Sequence, residues 1–430
     1  MYFTYTLILT LGLILTSPYY LVRFRKYLPT LEDRFGFLRL PRLRSSIWVH
    51  AVSVGEVKAV EKLLERLRQQ FPGKRIVVST ATPAGQQLAA ERRDIVDHTF
   101  YFPIDLPWCV RRTLNCLDPE VVIIAETEIW PNFLRQCRRR GTRVVMINGR
   151  ISDKSFARYR LVRRWMRRVF EDYTIIGMQS EIDRRRIEAI GADPQKVIVF
   201  GNLKYDVIRS SRPLDNALAN LLGSWNQVWI AASTMPGEEE FVLDAFAGLQ
   251  KTHPGLKLVI APRHADRFDA VEAIVKRRRM TCVRRTRLGA DGDILLLDTF
   301  GELAGVFQYA TVVFIGGSLV PRGGHNVLEP ARHGKPIVFG PHMENFRDMA
   351  RLFLETGAAI EIQTPPELAP AVGQLLSNPA HASQLGRNAM AIVQQNSGAT
   401  DRVLQVLEPY ILDETTSRRH GQLIGRKALP

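Results

Sequence analysis

The sequence predicts an α/β protein made of two Rossmann-like domains, which follow an apolar segment at the amino terminus. The chain has 430 residues, which is more than one hydrophobic core usually organises. Short β-branched apolar runs alternate with longer amphipathic segments, as in parallel sheets joined by crossover helices. Two series of such runs are separated by the polar segment Lys204–Asp215, which contains Pro213 and is interpreted as an interdomain linker.

The amino-terminal segment predicts a membrane anchor over residues 1–22. Residues from Tyr2 to Val22 carry no charge, and about 20 apolar residues suffice to cross a bilayer. Arg23, Arg25 and Lys26 follow at once, which predicts that the rest of the chain stays on the cytoplasmic side. A cleaved signal peptide would carry its basic residues before the apolar run. Polar residues within the segment leave a shallow interfacial anchor as the alternative.

The first series of apolar runs predicts an N-terminal Rossmann-like domain over residues 23–205. A helix is expected over Val57–Gln70, because Leu63, Leu64 and Leu67 share one face. Pro72 and Gly73 follow it and favour its end. Strands are expected at Ile47–Val52, Arg75–Thr80, Val121–Ala125, Val144–Asn148, Thr174–Met178 and Val197–Phe200.

The second series predicts a C-terminal Rossmann-like domain over residues 206–412, and the polar residues 413–430 are expected to be a disordered tail. Ligands of such sheets bind at loops that follow the carboxyl ends of strands, so two facing domains would share a cleft. Strands of this domain are expected at Val228–Ala232, Lys257–Ala261, Ile294–Leu297, Thr311–Ile315 and Pro336–Phe339.

The charge balance predicts an anionic partner. The formal net charge is +16, which suits nucleic acid, an acidic membrane or a phosphorylated substrate. The segment Arg158–Arg168 interleaves Arg with Leu, Val, Trp and Met at helical spacing, and such a basic amphipathic face suits anionic lipid headgroups. A core helix whose Arg side chains reach into water is the alternative. Nucleic acid is not expected, because no nucleic-acid-binding motif accompanies the segment.

No resident metal or cofactor is expected from the motifs. The chain has no Walker sequence and no G-x-G-x-x-G fingerprint, which disfavours an NTPase and a redox dinucleotide enzyme. It also lacks a convincing Asp-x-Asp loop for a divalent cation. The histidines His264, His325, His333 and His342 are not spaced as zinc ligands. The cysteines Cys109, Cys116, Cys137 and Cys282 lack C-x-x-C spacing and are interpreted as reduced core thiols.

Carboxylates follow two strands of the first domain. Glu56 comes after Gly55 in the motif HAVSVGE, where a strand turns into a helix, and a carboxylate there can serve as a general base. The alternative is a glutamate favoured by the helix dipole. Glu126 and Glu128 follow the candidate strand Val121–Ala125 in AETEIWP, and one of them could stabilise positive charge on a sugar. Glu126 is favoured as the inward residue, with Glu128 facing solvent or pairing with an Arg.

Glycine-rich loops follow strands of the second domain. Gly316, Gly317 and Ser318 come after one strand, and Gly323 to Asn326 precede a short helical pattern that includes Glu329. Glycines and a helix start together predict a phosphate cradle, with Glu329 accepting hydrogen bonds from ribose hydroxyls. Lys204 and Arg263 are candidates to neutralise a leaving phosphate without a metal.

The ordered motifs HAVSVGE, AETEIWPN, NGRIS, GNLKYD, APRH, LDTFGEL, IGGS and GGHNVLEP together resemble the 3-deoxy-D-manno-oct-2-ulosonic acid (Kdo) transferases of Gram-negative bacteria. The resemblance runs over nearly the whole chain. It implies a GT-B fold, an N-terminal anchor in the cell inner membrane, and catalytic domains on the cytoplasmic side. It also implies a glycosyltransferase that moves Kdo from the donor substrate CMP-Kdo to the lipid A precursor, lipid IVA, in lipopolysaccharide biosynthesis. The transfer is expected to invert the anomeric carbon and, because the chain lacks a convincing Asp-x-Asp loop, to be metal-independent.

The resemblance also assigns roles to individual residues. Glu56 is expected to be the proton acceptor, and Glu126 and Lys204 are expected to stabilise the transition state. The expected contacts to the CMP of the donor are Pro262, Arg263, Phe300, Gly301, Glu302, Gly317, Ser318, Asn326, Val327, Leu328 and Glu329. A UDP-sugar-dependent GT-B transferase acting on a membrane lipid remains an alternative, as does a nonenzymatic basic lipid-binding protein.

Overall fold

The computed structural model describes residues 2–23, 25–206, 214–289 and 292–411, and the side chains among them outside 18–27. The chain divides into two compact units. Unit 1 contains Met1–Val207 and Ser397–Pro430, and unit 2 contains Ile208–Asn396. The charged residues after the apolar segment, part of the expected linker and the tail 413–430 lie outside the described side chains or residues.

Unit 1 is built on a parallel sheet of seven strands in the order β3-β2-β1-β4-β5-β6-β7. Strands β1 and β2 are buried along their whole length and mostly apolar, as expected for a sheet covered on both faces. The strands are β1 (Ser46–His50), β2 (Ile76–Thr80), β3 (His98–Tyr101), β4 (Pro119–Ala125), β5 (Arg143–Gly149), β6 (Ile175–Met178) and β7 (Val197–Val199).

Helices and two hydrophobic clusters complete unit 1. Trp48 of β1 lies at the centre of one cluster and packs against Phe100, Phe102 and Phe133. The helices before the linker are α1 (Tyr2–Arg23), α2 (Leu31–Arg34), α3 (Val54–Gln70), α4 (Pro83–Ala90), α5 (Pro107–Leu117), α6 (Pro131–Arg140), α7 (Asp153–Leu161), α8 (Arg163–Phe170) and α9 (Glu181–Ile190).

Unit 2 repeats this architecture with a parallel sheet in the order β10-β11-β9-β8-β12-β13-β14. The strands are β8 (Gln227–Thr234), β9 (Leu256–Pro262), β10 (Cys282–Arg284), β11 (Ile294–Leu296), β12 (Val312–Ile315), β13 (Ile337–Phe339) and β14 (Ala359–Glu361). The helices are α10 (Asn216–Gly223), α11 (Glu238–Gln250), α12 (Phe268–Arg277), α13 (Leu303–Val306), α14 (Leu328–Arg332), α15 (Arg347–Glu355), α16 (Leu368–Ser377) and α17 (Pro379–Asn396).

The last described helix, α18 (Ala399–Ile411), belongs to unit 1 although it follows unit 2 in the chain. Its residues Val403, Leu404 and Leu407 are buried in the same cluster as residues of β1 and β4. The Asp206 carboxylate accepts hydrogen bonds from the backbone N–H groups of Gly398 and Thr400, at 2.7 and 2.6 Å. The expected C-terminal domain of residues 206–412 included this helix. In the structure α18 belongs to unit 1, because its apolar face packs against the first sheet.

The prediction of two parallel-sheet α/β domains is confirmed. Each strand expected from the sequence is present within one or two residues of its expected ends. Strands β3, β10 and β14 were not expected, and each lies at the edge of its sheet. Edge strands bury less of their surface, so they lack the continuous apolar run that marks a central strand.

Helix α1 covers the segment expected to anchor the chain. None of the described helices is long and apolar enough to span a membrane, so the anchor stays a prediction. Tyr2 Oη donates to the Asp172 carboxylate at 2.5 Å, and Asn132 Nδ2 donates to Thr6 Oγ1 at 2.9 Å. The first turns of α1 are therefore hydrogen-bonded to other segments of unit 1, while apolar side chains such as Phe3 and Leu15 are exposed.

Candidate active site

Acidic and basic side chains converge at the carboxyl edge of the first sheet. Glu56 lies on the first turn of α3, which follows β1, and Glu126 directly follows β4. Strands β1 and β4 are hydrogen-bonded neighbours. The loops after these strands therefore open at the same edge, which is where ligands of doubly wound sheets bind.

Glu56 is held by its own loop. Its Oε2 accepts from the backbone N–H of Val52 at 2.8 Å, and its Oε1 accepts from the Ser53 hydroxyl at 3.0 Å. Burial raises the pKa of the Glu56 carboxyl to about 7, the hydrogen bond from Val52 opposes this shift, and the charges of Glu126 and Glu128 add to it. A carboxyl with this pKa exchanges protons near neutral pH.

Glu126 is paired with Lys204 in an uncommon backbone conformation. Lys204 Nζ lies 3.6 Å from Glu126 Oε1, and both side chains are about one-third exposed. Glu126 has φ +61°, in the left-handed region that costs energy for residues other than glycine. Its backbone N–H donates to the Ile147 carbonyl at 2.8 Å, which ties the start of the loop to β5.

Asn148, at the end of β5, positions the short helical turn that carries Lys204. The side-chain Oδ1 of Asn148 accepts from the Leu203 N–H at 3.1 Å, and Asn202 Oδ1 accepts from the Lys204 N–H at 3.0 Å. Asn148 also has a positive φ, +57°. Sequence reasoning did not single out Asn148, although its place at the end of a predicted strand was a usable signal.

Glu128 is partly buried at the same edge. The Tyr173 hydroxyl donates to its carbonyl at 2.7 Å, and burial is the main cause that raises the pKa of its carboxyl. The sequence favoured Glu126 as the inward acid and left Glu128 facing solvent or paired with an Arg. In the structure both acids are partly buried, and Lys204 pairs with Glu126.

In unit 2 the glycine-rich loop after β12 is bound to a buried carboxylate. The N–H groups of Gly317 and Ser318 donate to Glu238, at 2.6 and 3.0 Å. These amides are therefore not open donors for a phosphate, unlike in the cradle expected from the sequence. Glu238 was missed, although Gly237-Glu238 after the first strand of unit 2 corresponds to Gly55-Glu56 in unit 1.

The segment from Gly323 to Glu329 packs beside that loop. Gly324 N–H donates to the Gly317 carbonyl at 2.8 Å, and Asn326 Oδ1 accepts from the Leu328 N–H at 3.0 Å. Val327 and Leu328 are buried, so their side chains do not face a ligand. Helix α14 has five residues, which is a weaker source of helix dipole than the sequence suggested.

The remaining expected nucleotide contacts follow the neighbouring strands β9 and β11. Pro262 ends β9 and Arg263 presents an exposed side chain after it. Phe300 is 60% exposed, and Gly301 has φ +90°. The Glu302 carboxylate accepts from Arg285 Nη2 at 2.7 Å, so this acid is already paired.

The basic segment Arg158–Arg168 forms α7 and α8. Met166 on α8 is buried in the core, while Arg160, Arg163 and Arg164 are exposed. Leu161, the last residue of α7, is 87% exposed. One face of the segment is therefore part of the core, and the other carries exposed cations beside an apolar side chain. Lipid binding by this face stays a prediction.

No metal centre is evident in the described part of the chain. Among residues 2–23, 25–206, 214–289 and 292–411, no group of three or more His, Cys, Asp or Glu side chains could hold a metal ion. Cys109 and Cys137 are buried free thiols, and Cys116 and Cys282 are partly buried free thiols. Metal independence stays a prediction.

Comparison with known proteins gives consistent similarities. Residues 29–207 match the family model described as 3-deoxy-D-manno-octulosonic-acid transferase (kdotransferase). The chain is 33% identical over 400 residues to the 3-deoxy-D-manno-octulosonic acid transferase of Haemophilus influenzae, covering 91% of this chain and 93% of that protein. It is 30% identical over 396 residues to the enzyme of the same name from Bordetella pertussis, covering 90% and 92% of the two chains.

A solved structure supports the fold. The crystal structure of Acinetobacter baumannii MurG superposes with a TM-score of 0.51 at 13% identity, covering 85% of this chain and 99% of that chain. At this identity the likeness concerns the fold alone. The two parallel-sheet α/β units and this likeness make the fold GT-B.

Proposed function

Because this chain belongs to the Kdo transferase family and is a glycosyltransferase of the lipopolysaccharide pathway, we propose that it transfers Kdo from CMP-Kdo to the lipid A precursor, lipid IVA, with Glu56 as general base. The observation that carries the proposal is Glu56 itself. It is a partly buried carboxyl at a strand-end site, with its pKa raised to about 7 and further acids beside it.

The proposed reaction is a direct displacement. A hydroxyl oxygen of the acceptor attacks the anomeric carbon of Kdo as the bond from that carbon to the CMP phosphate oxygen breaks. Glu56 takes the hydroxyl proton, CMP leaves with the bonding electron pair, and the anomeric configuration inverts. A base is most effective when its pKa lies near the working pH, which is the condition that burial creates at Glu56.

Glu126 and Lys204 stabilise the transition state in this proposal. Displacement at a sugar carbon develops positive charge on the ring and negative charge on the leaving phosphate. The 3.6 Å pair offers one charge of each sign at the edge that holds Glu56. The strained conformation of Glu126 supports a functional reason for its position, because such strain is retained mainly at functional sites.

Unit 2 is proposed to bind the CMP of the donor. Arg263 is exposed after β9, so its guanidinium is accessible to a phosphate. Asn326 to Glu329 follow β12, and the exposed Phe300 follows β11 in the same sheet. Gly317 and Ser318 contribute by shaping the loop after β12, because their N–H groups are engaged by Glu238.

The acceptor is proposed to be reached from an anionic inner membrane on its cytoplasmic side. The exposed arginines of α7 and α8 can bind lipid phosphates. The rings of Tyr5 of α1 and Trp165 of α8 pack in a tilted arrangement, with their centroids 6.0 Å apart. The apolar α1 surface and this basic surface therefore adjoin on unit 1. Both features suit a lipid substrate.

The test is a transfer assay in which CMP-Kdo is generated in place and tetraacylated lipid A precursor is the acceptor, with EDTA present after the generating reaction is complete. We expect transfer by the unaltered protein and a loss of at least about 100-fold in Glu56→Ala. Glu65→Gln is the matched control, because Glu65 lies on the same helix and pairs with Arg92.

Each outcome has a defined meaning. Activity of Glu56→Ala equal to that of the unaltered protein would reject Glu56 as the base. Loss of activity with EDTA would reject metal independence. Failure of the folded, membrane-reconstituted protein to transfer Kdo, together with inhibition by UDP rather than CMP, would instead favour the UDP-sugar alternative.

A further inference from the structure

Glu238 is a fully buried carboxylate whose two oxygens are surrounded by backbone donors. Its relative exposure is 0%. Oε2 accepts from the N–H groups of Met235 and Gly317 at 2.9 and 2.6 Å, and Oε1 accepts from those of Ser318 and Leu319 at 3.0 and 2.9 Å. Four donors directed at two oxygens suit the ionised form, because an acid proton would face another N–H.

The loop that Glu238 binds is packed closely against the backbone of neighbouring segments. A Cβ atom on Gly316 would lie 2.5 Å from the Ser233 carbonyl oxygen, and one on Gly340 would lie 2.4 Å from the Ser318 carbonyl oxygen. Backbone therefore packs on backbone at both sides of the loop. In such a place the direction of the peptide groups depends on their hydrogen bonds, and three consecutive amides point at Glu238.

The same loop holds the next glycine-rich segment. Gly317 donates its N–H to Glu238 and accepts at its carbonyl the N–H of Gly324, at 2.8 Å. Gly324 has φ +71° and lies two residues before Asn326, whose side chain caps the turn into α14. Hydrogen bonds thus connect the buried carboxylate to Gly324, which lies two residues before the segment 326–329 in the chain.

We propose that Glu238 is the positioning residue of the donor-nucleotide site, which it shapes by holding Gly317 to Leu319 and, through Gly317, the segment that begins at Gly324. The inference rests on the proposed function, because that function makes this edge the CMP site. Glu238 touches no reacting atom. Its role is to fix the backbone that meets the nucleotide.

The experiment compares Glu238→Gln with the unaltered full-length protein. A glutamine amide presents N–H groups to half of the four donors, so the loop loses its present arrangement. We expect the KM for CMP-Kdo and the inhibition constant of CMP to rise about tenfold or more. The kcat at saturating donor should change less than about threefold, because the chemical step does not involve Glu238.

Glu239→Gln is the matched control. Glu239 is the next residue, its side chain is equally buried, and its carboxylate lies 3.3 Å from Arg267 instead of contacting the loop. This variant should leave the donor KM within about twofold of the unaltered protein. An equal rise of the donor KM in both variants would overturn the proposal, because any buried charge would then have the same effect.

Amide hydrogen exchange without substrate separates this proposal from the proposed function. Faster exchange of residues 317–319 and 324 in Glu238→Gln, with unchanged exchange in β8, is expected if Glu238 holds the loop. Unchanged exchange in the loop would overturn the positioning role even if Kdo transfer is demonstrated. Faster exchange with an unchanged donor KM would show that the loop does not serve the nucleotide. Failure of the unaltered protein to bind CMP would reject the donor assignment, while the exchange result would still report on the loop.

Discussion

Glu56 and Glu238 occupy corresponding places in the two units, each after a glycine on the first turn of the helix that follows the first strand. Each accepts a hydrogen bond from a backbone N–H of its own loop, from Val52 in one case and Met235 in the other. Glu238 receives three further amides, whereas Glu56 keeps a partly exposed carboxyl. The same local motif thus gives a titratable acid in one unit and a structural carboxylate in the other.

The raised pKa of Glu56 predicts the pH dependence of transfer. The base is the ionised form, so kcat/KM should fall about tenfold per pH unit below its pKa of about 7 and level off above it. A pH–rate profile of the unaltered protein measures this limb. A value of kcat/KM that does not change between about pH 5.5 and about pH 8 would contradict Glu56 as the base.

The same shift has a consequence for stability. The folded-state pKa of Glu56 lies above the ordinary 4.5, so its contribution to stability is fully present below pH 4.5 and is lost as the pH rises through about 7. Glu56→Gln should therefore gain stability relative to the unaltered protein between pH 5 and pH 8, roughly the span of the shift. Thermal unfolding of both proteins at these two pH values tests the sign.

Lys204 should matter for catalysis far more than for stability. Lys204→Ala should lower kcat by about 100-fold, the usual effect of removing one transition-state donor. Its unfolding temperature should change by less than about 4 °C, because a partly exposed ion pair contributes about 1 kcal/mol, which corresponds to roughly 2–4 °C in a domain of this size. Lys58→Ala, an exposed lysine of α3, is the control and should retain full kcat. A Lys204→Ala enzyme with normal kcat would remove Lys204 from the mechanism.

At the scale of elements, α18 is the clearest case of a helix whose place depends on a distant partner. It follows unit 2 in sequence, yet its apolar face lies in the hydrophobic cluster of unit 1 with Val121 and Ile123 of β4. Arg402 of α18 donates to the Phe200 carbonyl at 2.8 Å. Unit 1 is therefore completed by a segment that lies nearly 200 residues after Asp206 in the chain.

Leu404→Ala should destabilise unit 1 selectively. Leu404 is 3% exposed, and removing such a buried leucine side chain costs about 2–5 kcal/mol. Hydrogen exchange should increase in β1 and β4 and stay unchanged in β8 and β12. Gln405→Ala, at an exposed neighbouring position, is the matched control. Equal loss of protection in both units would show that α18 does not belong specifically to unit 1.

For the whole molecule, the net charge of +16 should make binding to anionic membranes sensitive to salt. A variant with Arg160, Arg163 and Arg164 all changed to Gln should bind phosphatidylglycerol-containing vesicles about 100-fold more weakly. Each cation near the surface contributes roughly 1 kcal/mol to the free energy of membrane binding. A matched triple variant at Lys276, Arg277 and Arg279 removes the same charge elsewhere. Equal weakening in a vesicle-sedimentation assay would show that net charge, and not the α7–α8 surface, controls binding.

The sequence predicted the central part of both sheets because buried parallel strands leave local apolar runs. It also led to Glu56, Glu126 and Lys204, since polar residues after such runs must lie at a sheet edge. It did not lead to β3, β10 and β14, which are partly exposed edge strands. Their strand character comes from pairing with a neighbour, which a local pattern does not contain.

The sequence by itself determined the two α/β units, the strand-end acids and the basic surface, because periodicity and charge are properties of nearby residues. Only the tertiary structure decided that α18 completes unit 1, that Asn148 supports the turn with Lys204, and that Glu238 occupies the amides of the glycine-rich loop. In each of these cases a side chain meets a partner far away in the chain. Such pairs are selected by packing and by the need of buried N–H and carboxylate groups for hydrogen bonds.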